Sequence, residues 1–446
     1  MTFLELNLNT PLFNALNDLG FENPTPIQEK VYPAVMSGRD TVGIAQTGTG
    51  KTFAYLIPIL RQLKYSEQKH PRILIVVPTR ELVMQVVDEV KKLTKYMTVR
   101  VVGVYGGTNI NTQKQVVYNG MDILVATPGR LVDLVMTGVL RLKSIQKLII
   151  DEVDEMLNLG FRPQLMSFLD SLPVRRQNLM FSATLTEEVA TMIADYFYEP
   201  ETIEIATQGT PLEQIEQYYY EVPNFYTKVN LLEHLLREEK VYQKVLVFAA
   251  SKQLADRIFE HLDPNFPEQI GVLHSNKSQN YRINSLERFK NGTSRILIAT
   301  DVASRGLDIP DITQVINFDT PETAEDYIHR IGRTGRAEKA GIAITFVNEV
   351  EMKQLSEIEK FMNKTLEELP IPMEVKISTI FTEEERPVLF DKEYLAKPDI
   401  SDSQGAFHEK KEKNKKVNLG GPGKRNPRKE KPVNRGVMKK RAARSK

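Results

Sequence analysis

The sequence contains no cysteine, which excludes disulfides, thiolate metal sites and cysteine nucleophiles. It also lacks any apolar run that approaches the length needed to cross a membrane. Its first residues, MTFLELNLNTPLF, include an early acidic residue and no basic flank before an apolar stretch, so they are not typical of a signal peptide. We therefore expect a cytoplasmic protein without membrane association.

The net charge is only +1, but this total hides a strong asymmetry along the chain. Residues 403–446 carry 16 Lys and Arg against 3 Asp and Glu, whereas the rest of the chain has a net charge of −12. This basic tail is poor in apolar residues and cannot bury a core, so we expect it to be disordered. Any nucleic-acid groove in the acidic body must then depend on local placement of basic side chains.

Short apolar runs alternate with longer amphipathic segments along the body, and 446 residues are enough for two or three domains. The runs are continuous, which is typical of strands covered on both faces in a parallel sheet flanked by helices. The sequence therefore predicts an α/β fold with two such domains. The runs are residues 73–77, 101–105, 123–126, 148–150 and 179–181 in a first series, and 217–222, 245–248, 270–273, 296–299, 315–318 and 342–347 in a second.

The polar stretch 206–214, ATQGTPLEQ, lies between the two series and is predicted to be an interdomain linker. On this interpretation, the first domain covers residues 1–205 and the second covers 215–375. Residues 376–402 form an extension whose structure the sequence leaves open, and residues 403–446 form the disordered basic tail.

Residues 45–52, AQTGTGKT, match the pattern of a phosphate-binding loop. Gly48 and Gly50 let backbone N–H groups curl around phosphates at the start of a helix. Lys51 adds a point charge for the β- and γ-phosphates, and the Thr52 hydroxyl is the expected Mg²⁺ ligand. The alternative is a chance match in a turn rich in Gly and Thr. The ATP-binding residues predicted here are Ala45, Gln46, Thr47, Gly48, Thr49, Gly50, Lys51 and Thr52.

The surroundings of this loop agree with the pattern, because a strand run at 41–44 precedes it and an amphipathic helical pattern follows it. Pro58 interrupts that pattern. A proline inside a helix removes one hydrogen bond, so we expect either a kink near residue 54 or an early end of the helix.

Asp151, Glu152, Val153 and Asp154 follow the strand run at 148–150. A carboxylate at a second strand end beside a phosphate loop is what hydrolysis of Mg²⁺·ATP requires. Asp151 can orient the hydrated metal, and Glu152 can position and deprotonate the attacking water. An isolated acidic strand end is more often a solvated loop, so this interpretation depends on the phosphate loop that precedes it.

With these residues the chain resembles the DEAD-box RNA helicases over almost all of residues 3–370. That family has two RecA-like domains joined by a flexible linker. One catalytic motif departs from the family pattern, since Val153 replaces an alanine, and we expect hydrolysis to be retained. The matching stretches are AQTGTGKT, GFENPTPIQ at 20–28, PTREL at 78–82, GG at 106–107, TPGR at 127–130, SAT at 182–184, QNYR at 279–282, ATDVASRGLDIP at 299–310 and HRIGRTGR at 329–336.

The resemblance implies roles around the nucleotide. Gln28 is expected to recognise adenine, because a side-chain amide offers a donor and an acceptor to that base edge. Phe3 is similar to the aromatic residue that stacks near the base, and the alternative is that it is a buried N-terminal anchor. Asp308 is the expected ribose contact. Arg333 and Arg336 resemble arginine fingers that reach the γ-phosphate across the cleft.

The resemblance also implies residues that couple the sites and residues that hold RNA. Ser182 and Thr184 are expected to be a hydroxyl pair that bonds Asp154, while Asp301 and His329 belong to the closing interface. The RNA contacts are expected to be made to the backbone, without reading sequence. These implied RNA-binding residues are Arg80, Gly106, Gly107, Thr127, Arg130, Gln279, Arg282 and Thr300.

The resulting hypothesis is an ATP-dependent RNA helicase, with ATP and Mg²⁺ as cofactors and RNA as partner. We expect a monomer that remodels RNA by ATP-driven closure of its two domains, with Mg²⁺ held by Thr52 and Asp151 partly through water. A DNA helicase of the same superfamily and an ATP-gated RNA clamp are the alternatives. The compact core with a short basic tail resembles bacterial members of the family that act in cold adaptation, ribosome assembly and RNA decay. This resemblance implies ribosomal or RNA-decay proteins as candidate partners.

Overall fold

The computed structural model describes residues 2–45, 48–205, 215–304, 309, 311–335 and 341–385. Strands in these ranges form two seven-stranded sheets, one from the first half of the chain and one from the second. Every pair of neighbouring strands in them is parallel. The α/β fold with two parallel sheets that the sequence predicts is therefore confirmed.

The first sheet has the strand order β3-β4-β2-β5-β6-β1-β7. Its strands are β1 (Thr41–Ile44), β2 (Ile73–Val76), β3 (Val101–Val104), β4 (Ile123–Ala126), β5 (Lys147–Ile150), β6 (Gln177–Ser182) and β7 (Glu201–Glu204). The helices of this half are α1 (Thr10–Asp18), α2 (Pro26–Met36), α3 (Lys51–Gln62), α4 (Arg80–Leu93), α5 (Ile110–Tyr118), α6 (Pro128–Met136), α7 (Val153–Asn158), α8 (Arg162–Leu169) and α9 (Glu187–Tyr196).

The second sheet repeats the same pattern in the order β10-β11-β9-β12-β13-β8-β14. Its strands are β8 (Ile215–Glu221), β9 (Val245–Phe248), β10 (Ile270–Leu273), β11 (Ile296–Ala299), β12 (Gln314–Asn317), β13 (Gly341–Val347) and β14 (Glu367–Glu368). Its helices are α10 (Phe225–Arg237), α11 (Lys252–Leu262), α12 (Gln279–Lys290), α13 (Asp301–Ser304), α14 (Ala324–Ile331) and α15 (Met352–Met362).

The core lies on both faces of each sheet, as the continuous apolar runs predict. In β2, Ile73 and Ile75 belong to one hydrophobic cluster, and Leu74 and Val76 belong to another. Successive side chains of a strand point to opposite faces, so both faces are covered. Each fully buried side chain of this kind contributes about 1.5–3 kcal/mol, which stabilises the sheet that carries the site.

Not every local expectation agrees with the structure. The sequence did not predict β7 or β14, two edge strands that hold charged residues; β7 is only partly buried and both residues of β14 are exposed. An early end of α3 at Pro58 was also wrong, because this helix continues to Gln62. Pro58 is itself buried, and the packing of α3 outweighs the lost hydrogen bond. None of the helices in the described ranges combines the length and apolar composition that a membrane crossing requires.

Residues beyond the predicted end of the second domain pack against α10. Val375 belongs to the hydrophobic core of this half. The Ser378 backbone N–H donates to Thr227 Oγ1 at 3.0 Å, and Asn230 Nδ2 donates to the Lys376 carbonyl at 2.7 Å. The first ten residues of the extension at 376–402 are thus part of the folded second half. The predicted linker at 206–214, the remainder of the extension and the tail at 403–446 lie outside the described residues.

Candidate functional site

The phosphate loop follows β1 at the carboxyl edge of the first sheet and leads into α3. Gly50 is the residue before α3 and has a left-handed backbone with φ of 89°. A Cβ atom at this position would lie 2.6 Å from Gln28 Nε2, so no side chain fits here without displacing Gln28. The loop therefore needs glycine both for its backbone angle and for the close approach of α2.

Gln28 braces this loop from the start of α2. Its Nε2 atom donates to the Gly50 carbonyl at 3.2 Å, and its Oε1 atom accepts the Thr25 N–H at 3.0 Å. Thr25 Oγ1 donates to the Thr49 carbonyl at 2.9 Å. Gln28 thus lies in contact with the phosphate loop, and its recognition of the base stays a prediction.

Lys51 and Glu152 bring buried charges together at this edge. Lys51 is 6% exposed and Glu152 is 8% exposed. Within the described residues, neither Lys51 Nζ nor Glu152 Oε2 has a hydrogen-bond partner. A buried polar atom without a hydrogen-bond partner destabilises the folded protein by about 1–3 kcal/mol, and by more when it is charged. Such a cost is typical of a site that a ligand completes.

The electrostatics of the two adjacent acids fit this arrangement. Burial raises the pKa of Asp151, although the Lys51 charge acts to lower it. Burial also raises the pKa of Glu152 to about 7, against the opposing effects of Lys51 and Arg333. A carboxyl group with a pKa near neutrality can accept a proton from water at physiological pH. Glu152 therefore has the protonation behaviour that a general base needs.

The backbone at Glu152 is strained. Its φ of 53° and ψ of 50° put a residue with a side chain in the left-handed region, immediately before α7. Such a conformation costs about 1–3 kcal/mol and persists when the surrounding structure holds it in place. The Glu152 N–H donates to Asp151 Oδ1 at 3.0 Å, which fixes this turn at the end of β5.

Asp154 connects this turn to the end of β6. Its Oδ2 atom accepts the N–H groups of Ala183 and Thr184 and the Thr184 hydroxyl, each at 3.0 Å. The predicted bond from Thr184 is therefore present. The predicted bond from Ser182 was wrong, because Ser182 Oγ donates at 2.7 Å to the Thr184 carbonyl within the same turn. A short hydroxyl side chain reaches this nearby carbonyl more readily than the Asp154 carboxylate at the start of α7.

Phe3 does not offer a ring face to a base. It is 2% exposed and belongs to the core of the first half, so the alternative expectation of a buried N-terminal anchor describes it. Stacking by Phe3 is thus not supported, since a ring covered on both faces cannot stack. Sequence reasoning missed Phe21, which is 44% exposed and lies edge-on to Phe53 with ring centroids 5.2 Å apart. Its position inside the GFENPTPIQ stretch was the available signal.

Residues of the second half reach the same acidic turn. Arg333 is 6% exposed, and its charge lowers the pKa of Glu152. His329 Nδ1 lies 2.7 Å from Glu155 Oε1, and both side chains are almost fully buried. Sequence reasoning missed Glu155, although it directly follows the acidic motif. Asp301 forms an ion pair with Arg330 of its own half, at 2.6 Å and 2.7 Å, and its role in closure stays a prediction.

Two further contacts join the halves at the starts of α4 and α12. Arg80 Nη1 donates to Gln279 Oε1 at 3.3 Å. Arg282 Nη2 lies 2.6 Å from Glu81 Oε1, with side chains only 6% and 4% exposed. Three residues that the sequence predicts to contact RNA, namely Arg80, Gln279 and Arg282, therefore take part in contacts between the two halves. Glu81 was not predicted, and its opposite charge to Arg282 was the only signal in the sequence.

The remaining predicted RNA residues follow strands at the carboxyl edges. Gly106 and Gly107 follow β3, Thr127 follows β4 and Thr300 follows β11. Both threonines are buried, at 8% and 7% exposure. Arg130 is also buried and donates to Gln113 Oε1 at 2.7 Å and to the Thr108 carbonyl at 2.9 Å. The carboxyl edge of each sheet thus gathers these residues, as the parallel topology requires.

Four predicted site residues lie outside the described residues, namely Gln46, Thr47, Asp308 and Arg336. Within the described ranges, no three His, Asp or Glu side chains come together as a ready-made metal site. A metal ion beside Asp151 would therefore take most of its ligands from phosphate and water.

Comparisons with known proteins agree with this geometry. The family model described as DEAD/DEAH box helicase matches residues 25–192, and the helicase conserved C-terminal domain matches residues 227–338. The DEAD-box ATP-dependent RNA helicase CshA of Geobacillus kaustophilus (strain HTA426) is 39% identical over 371 residues, which cover 83% of this chain and 79% of that protein. The protein of the same name from Bacillus subtilis (strain 168) is 37% identical over 372 residues, covering 83% and 74%.

The fold is similar to that of a solved complex. The structure of S. cerevisiae Dbp5 bound to RNA and ADP BeF3 matches with a TM-score of 0.76 at 28% identity. The match covers 83% of this chain and 96% of that chain.

Proposed function

Because the chain belongs to the DEAD-box ATP-dependent RNA helicases and has two tandem RecA-like domains, we propose that Lys51, Glu152 and Arg333 hydrolyse ATP where these domains meet. The observation that carries this proposal is the pair of buried atoms Lys51 Nζ and Glu152 Oε2, which have no partner within the described residues. A triphosphate would pair with the ammonium group, and an attacking water would pair with the carboxylate. Binding of substrate thus removes the cost of both buried groups.

Each of these side chains has a separate task. Lys51 neutralises charge on the β- and γ-phosphates at the start of α3. Glu152 orients the attacking water and accepts its proton, which its raised pKa favours. Arg333, together with Arg336, stabilises the charge that develops on the transferred phosphoryl group. Because the arginines come from the second domain, hydrolysis depends on closure of the domains.

Thr52 and Asp151 fit the requirements of Mg²⁺. A hydroxyl group and a carboxylate are the hard oxygen ligands that this ion prefers, and it keeps several waters when it binds with phosphate. Asp151 is buried beside Lys51, whose charge acts on its pKa, so its carboxylate lies at the phosphate loop. When bound, the ion neutralises charge on the phosphate oxygens. Asp151, partly through water, and the Thr52 hydroxyl group would hold this ion.

The proposed nucleotide pocket ends at Gln28, which recognises adenine while it braces the phosphate loop. The exposed ring of Phe21, which packs edge-on against Phe53 of α3, is proposed to stack on the base in place of Phe3. Asp308 is the proposed ribose contact. The roles of Gln28 and Phe21 are supported by the contact of Gln28 with Gly50 and by the exposure of Phe21 next to Phe53, whereas the role of Asp308 rests on the sequence motif alone.

RNA is proposed to run along the carboxyl edges of both sheets, over Arg80, Gly106, Gly107 and Gln279. Glycine N–H groups and arginine forks bind the phosphate backbone without reading sequence. Closure brings ATP contacts and RNA contacts together from both domains. ATP and RNA are therefore expected to bind with positive coupling.

The cellular role is a separate proposal. A compact helicase core with a basic tail is consistent with a monomer that acts in the cytoplasm, in cold adaptation, ribosome assembly or RNA decay. Sequencing the RNAs that crosslink to the protein in cells would identify its targets. Recovery of RNA from a single process would decide among these three roles.

The biochemical proposal is tested by steady-state ATP hydrolysis with matched RNA and DNA strands. The wild-type protein should be stimulated by RNA and much less by DNA of the same sequence. Arg333→Ala should lose hydrolysis even at saturating RNA, because the finger acts only after closure. Normal hydrolysis by this variant at high RNA would mean that the second domain does not complete the active site.

A further inference from the structure

The amino edge of the first sheet, opposite to the phosphate loop, carries a surface that the activity above does not use. A depression of about 520 Å³ opens there between the end of α5 and the loop after α6. Its lining consists of Lys114, Gln115, Tyr118, Asn119 and Val139. We call these five residues, together with Lys69, the amino-edge patch.

Tyr118 is the main feature of the amino-edge patch. It is the last residue of α5, and it is 72% exposed. The Lys69 ammonium group lies 5.3 Å from the centre of its ring. An exposed aromatic ring beside a lysine is the combination on which a base stacks while its phosphate is neutralised. The side-chain amides of Gln115 and Asn119 add hydrogen-bonding groups at the same place.

The backbone under the amino-edge patch is held firmly. Gly120 has a φ of 90°, and a Cβ atom there would lie 2.9 Å from Lys69 Cα, so the two loops are in close contact. The Met121 N–H donates to the Lys69 carbonyl at 3.1 Å. Arg100 donates to the Gln68 carbonyl at 2.5 Å and to Asp122 Oδ2 at 3.1 Å. The Lys69 backbone is therefore fixed beside Tyr118 before any ligand binds, which lowers the entropic cost of binding.

The charge of this edge differs from that of the body around it. The segments 64–70, 114–120 and 136–147 contain six Lys and Arg and a single Glu, whereas the body as a whole carries −12. Arg141 and Lys143 are exposed and lie in the same loop as Val139, which lines the depression. Such a local excess of positive charge favours a polyanion over a neutral or basic partner.

The amino-edge patch also lies in line with the proposed RNA path. Helix α5 begins just after Gly106 and Gly107 at the carboxyl edge and ends at Tyr118. Its nine residues span about 13 Å at the usual rise of an α-helix. An RNA strand that leaves the proposed RNA site at the carboxyl edges, which we call the main site, at Gly106 and Gly107 can therefore follow α5 to the amino edge of the sheet.

We propose that the amino-edge patch is a second binding site for single-stranded RNA, in which a base stacks on Tyr118 and Lys69 and Lys114 contact its phosphates. This inference rests on the proposed RNA path, because the same strand occupies both sites. RNA long enough to reach around α5 gains affinity from the patch, and RNA that fills only the main site does not.

The test is RNA affinity of the full-length protein with a non-hydrolysable ATP analogue, measured by fluorescence anisotropy. Two single strands are compared, one of about six nucleotides and one of about 25. Tyr118→Ala should weaken binding of the long strand about tenfold and leave the short strand unchanged. Lys69→Glu combined with Lys114→Glu should do the same through charge, with a larger effect at low salt. Tyr198→Ala is the matched control, because Tyr198 is 79% exposed just before β7, at the far end of the same sheet.

The outcomes separate the two proposals. Equal loss of affinity for both RNA strands would overturn the second site, because the substitution would then act on the main site or on folding. Thermal unfolding of each variant checks whether its folding is affected. Unchanged affinity for the long strand in both patch variants would also overturn it, and would leave a protein partner as the occupant to seek. Failure of the short strand to bind the wild-type protein would instead contradict the proposed main site.

Discussion

Glu152 is the residue on which the chemistry depends most directly, because it combines burial, a strained backbone and a raised pKa. Glu152→Gln keeps the size of the side chain but removes the base. We expect ATP and RNA binding to persist while turnover falls roughly 10²–10⁴-fold. The measurement is kcat for ATP at saturating RNA, together with the affinity for both ligands. Glu204→Gln, an exposed acid of β7 in the same domain, serves as control, and retention of more than about a tenth of wild-type kcat would contradict the role of Glu152.

His329 predicts how domain closure depends on pH. Burial and, to a smaller extent, the Arg333 charge act to lower the pKa of His329, but the Glu155 carboxylate and the Asp154 charge together act more strongly to raise it, so the net shift is upward. A raised pKa means that the protonated pair stabilises the closed arrangement fully below the usual histidine pKa of 6.5. This stabilisation is lost as the pH rises through the higher value of the folded state.

The measurement for this prediction is RNA affinity with an ATP analogue across a pH series. Affinity of the wild-type protein should decrease as the pH rises from 6.5 through the raised pKa of His329. His329→Gln should flatten the curve, while His234→Gln, a histidine of α10 far from the acidic motif in sequence, should not. Parallel curves for wild type and His329→Gln would show that the pair does not control closure.

At the scale of elements, helices α4 and α12 meet through the buried pair of Glu81 and Arg282. Breaking a buried ion pair by changing one partner costs about 3–5 kcal/mol, because the other charge stays buried. We expect Glu81→Arg or Arg282→Glu alone to abolish RNA-stimulated hydrolysis, and the double exchange to restore part of it. A double variant no better than the single ones would mean that the contact is not formed during turnover.

The control for this exchange lies on α4 itself. Asp88 and Lys92 form an exposed pair at 2.7 Å, with side chains 62% and 52% exposed. Exchanging them should hardly change hydrolysis, since an exposed pair contributes only about 0–1 kcal/mol. The comparison separates the effect of the interface from a general effect of charge reversal on α4.

The helices and strands also show where a local sequence pattern predicts the structure correctly and where it does not. The run at 245–248 coincides with β9, because four consecutive apolar residues buried on both faces leave few alternatives. Glu201–Glu204 was missed as β7, because the edge of a sheet accepts polar residues and its pattern is weak. Pro58 misled the prediction of α3, since burial of the helix against α2 and the core overrides a local propensity.

At the scale of the whole molecule, the basic tail at 403–446 gives a prediction about RNA affinity that does not depend on the folded domains. Flexible Lys and Arg segments bind phosphate backbones through counterion release. Deleting residues 403–446 should raise the RNA concentration that stimulates hydrolysis and should leave maximal turnover unchanged. If about six phosphate contacts are lost, the slope of log K against log salt should fall by roughly four to five for single strands.

The measurement is RNA affinity across a salt series for the full-length and truncated proteins. Parallel lines would mean that the tail does not hold RNA. A collapse of turnover itself would mean that the tail contributes to the folded core. Tyr118→Ala, tested in the same series, should lower the long-strand affinity with little change in slope, because stacking releases no counterions.

The sequence by itself determined the two parallel α/β domains, the phosphate loop and the acidic motif, because burial patterns and glycine spacing are local properties. Only the tertiary structure decided which side chains meet across the chain. It joined Glu81 to Arg282 and Glu155 to His329, buried Phe3 and exposed Phe21. It also turned Ser182 towards the Thr184 carbonyl and brought Lys69 beside Tyr118. These contacts join residues through packing and electrostatics in three dimensions, and no periodicity along the chain encodes them.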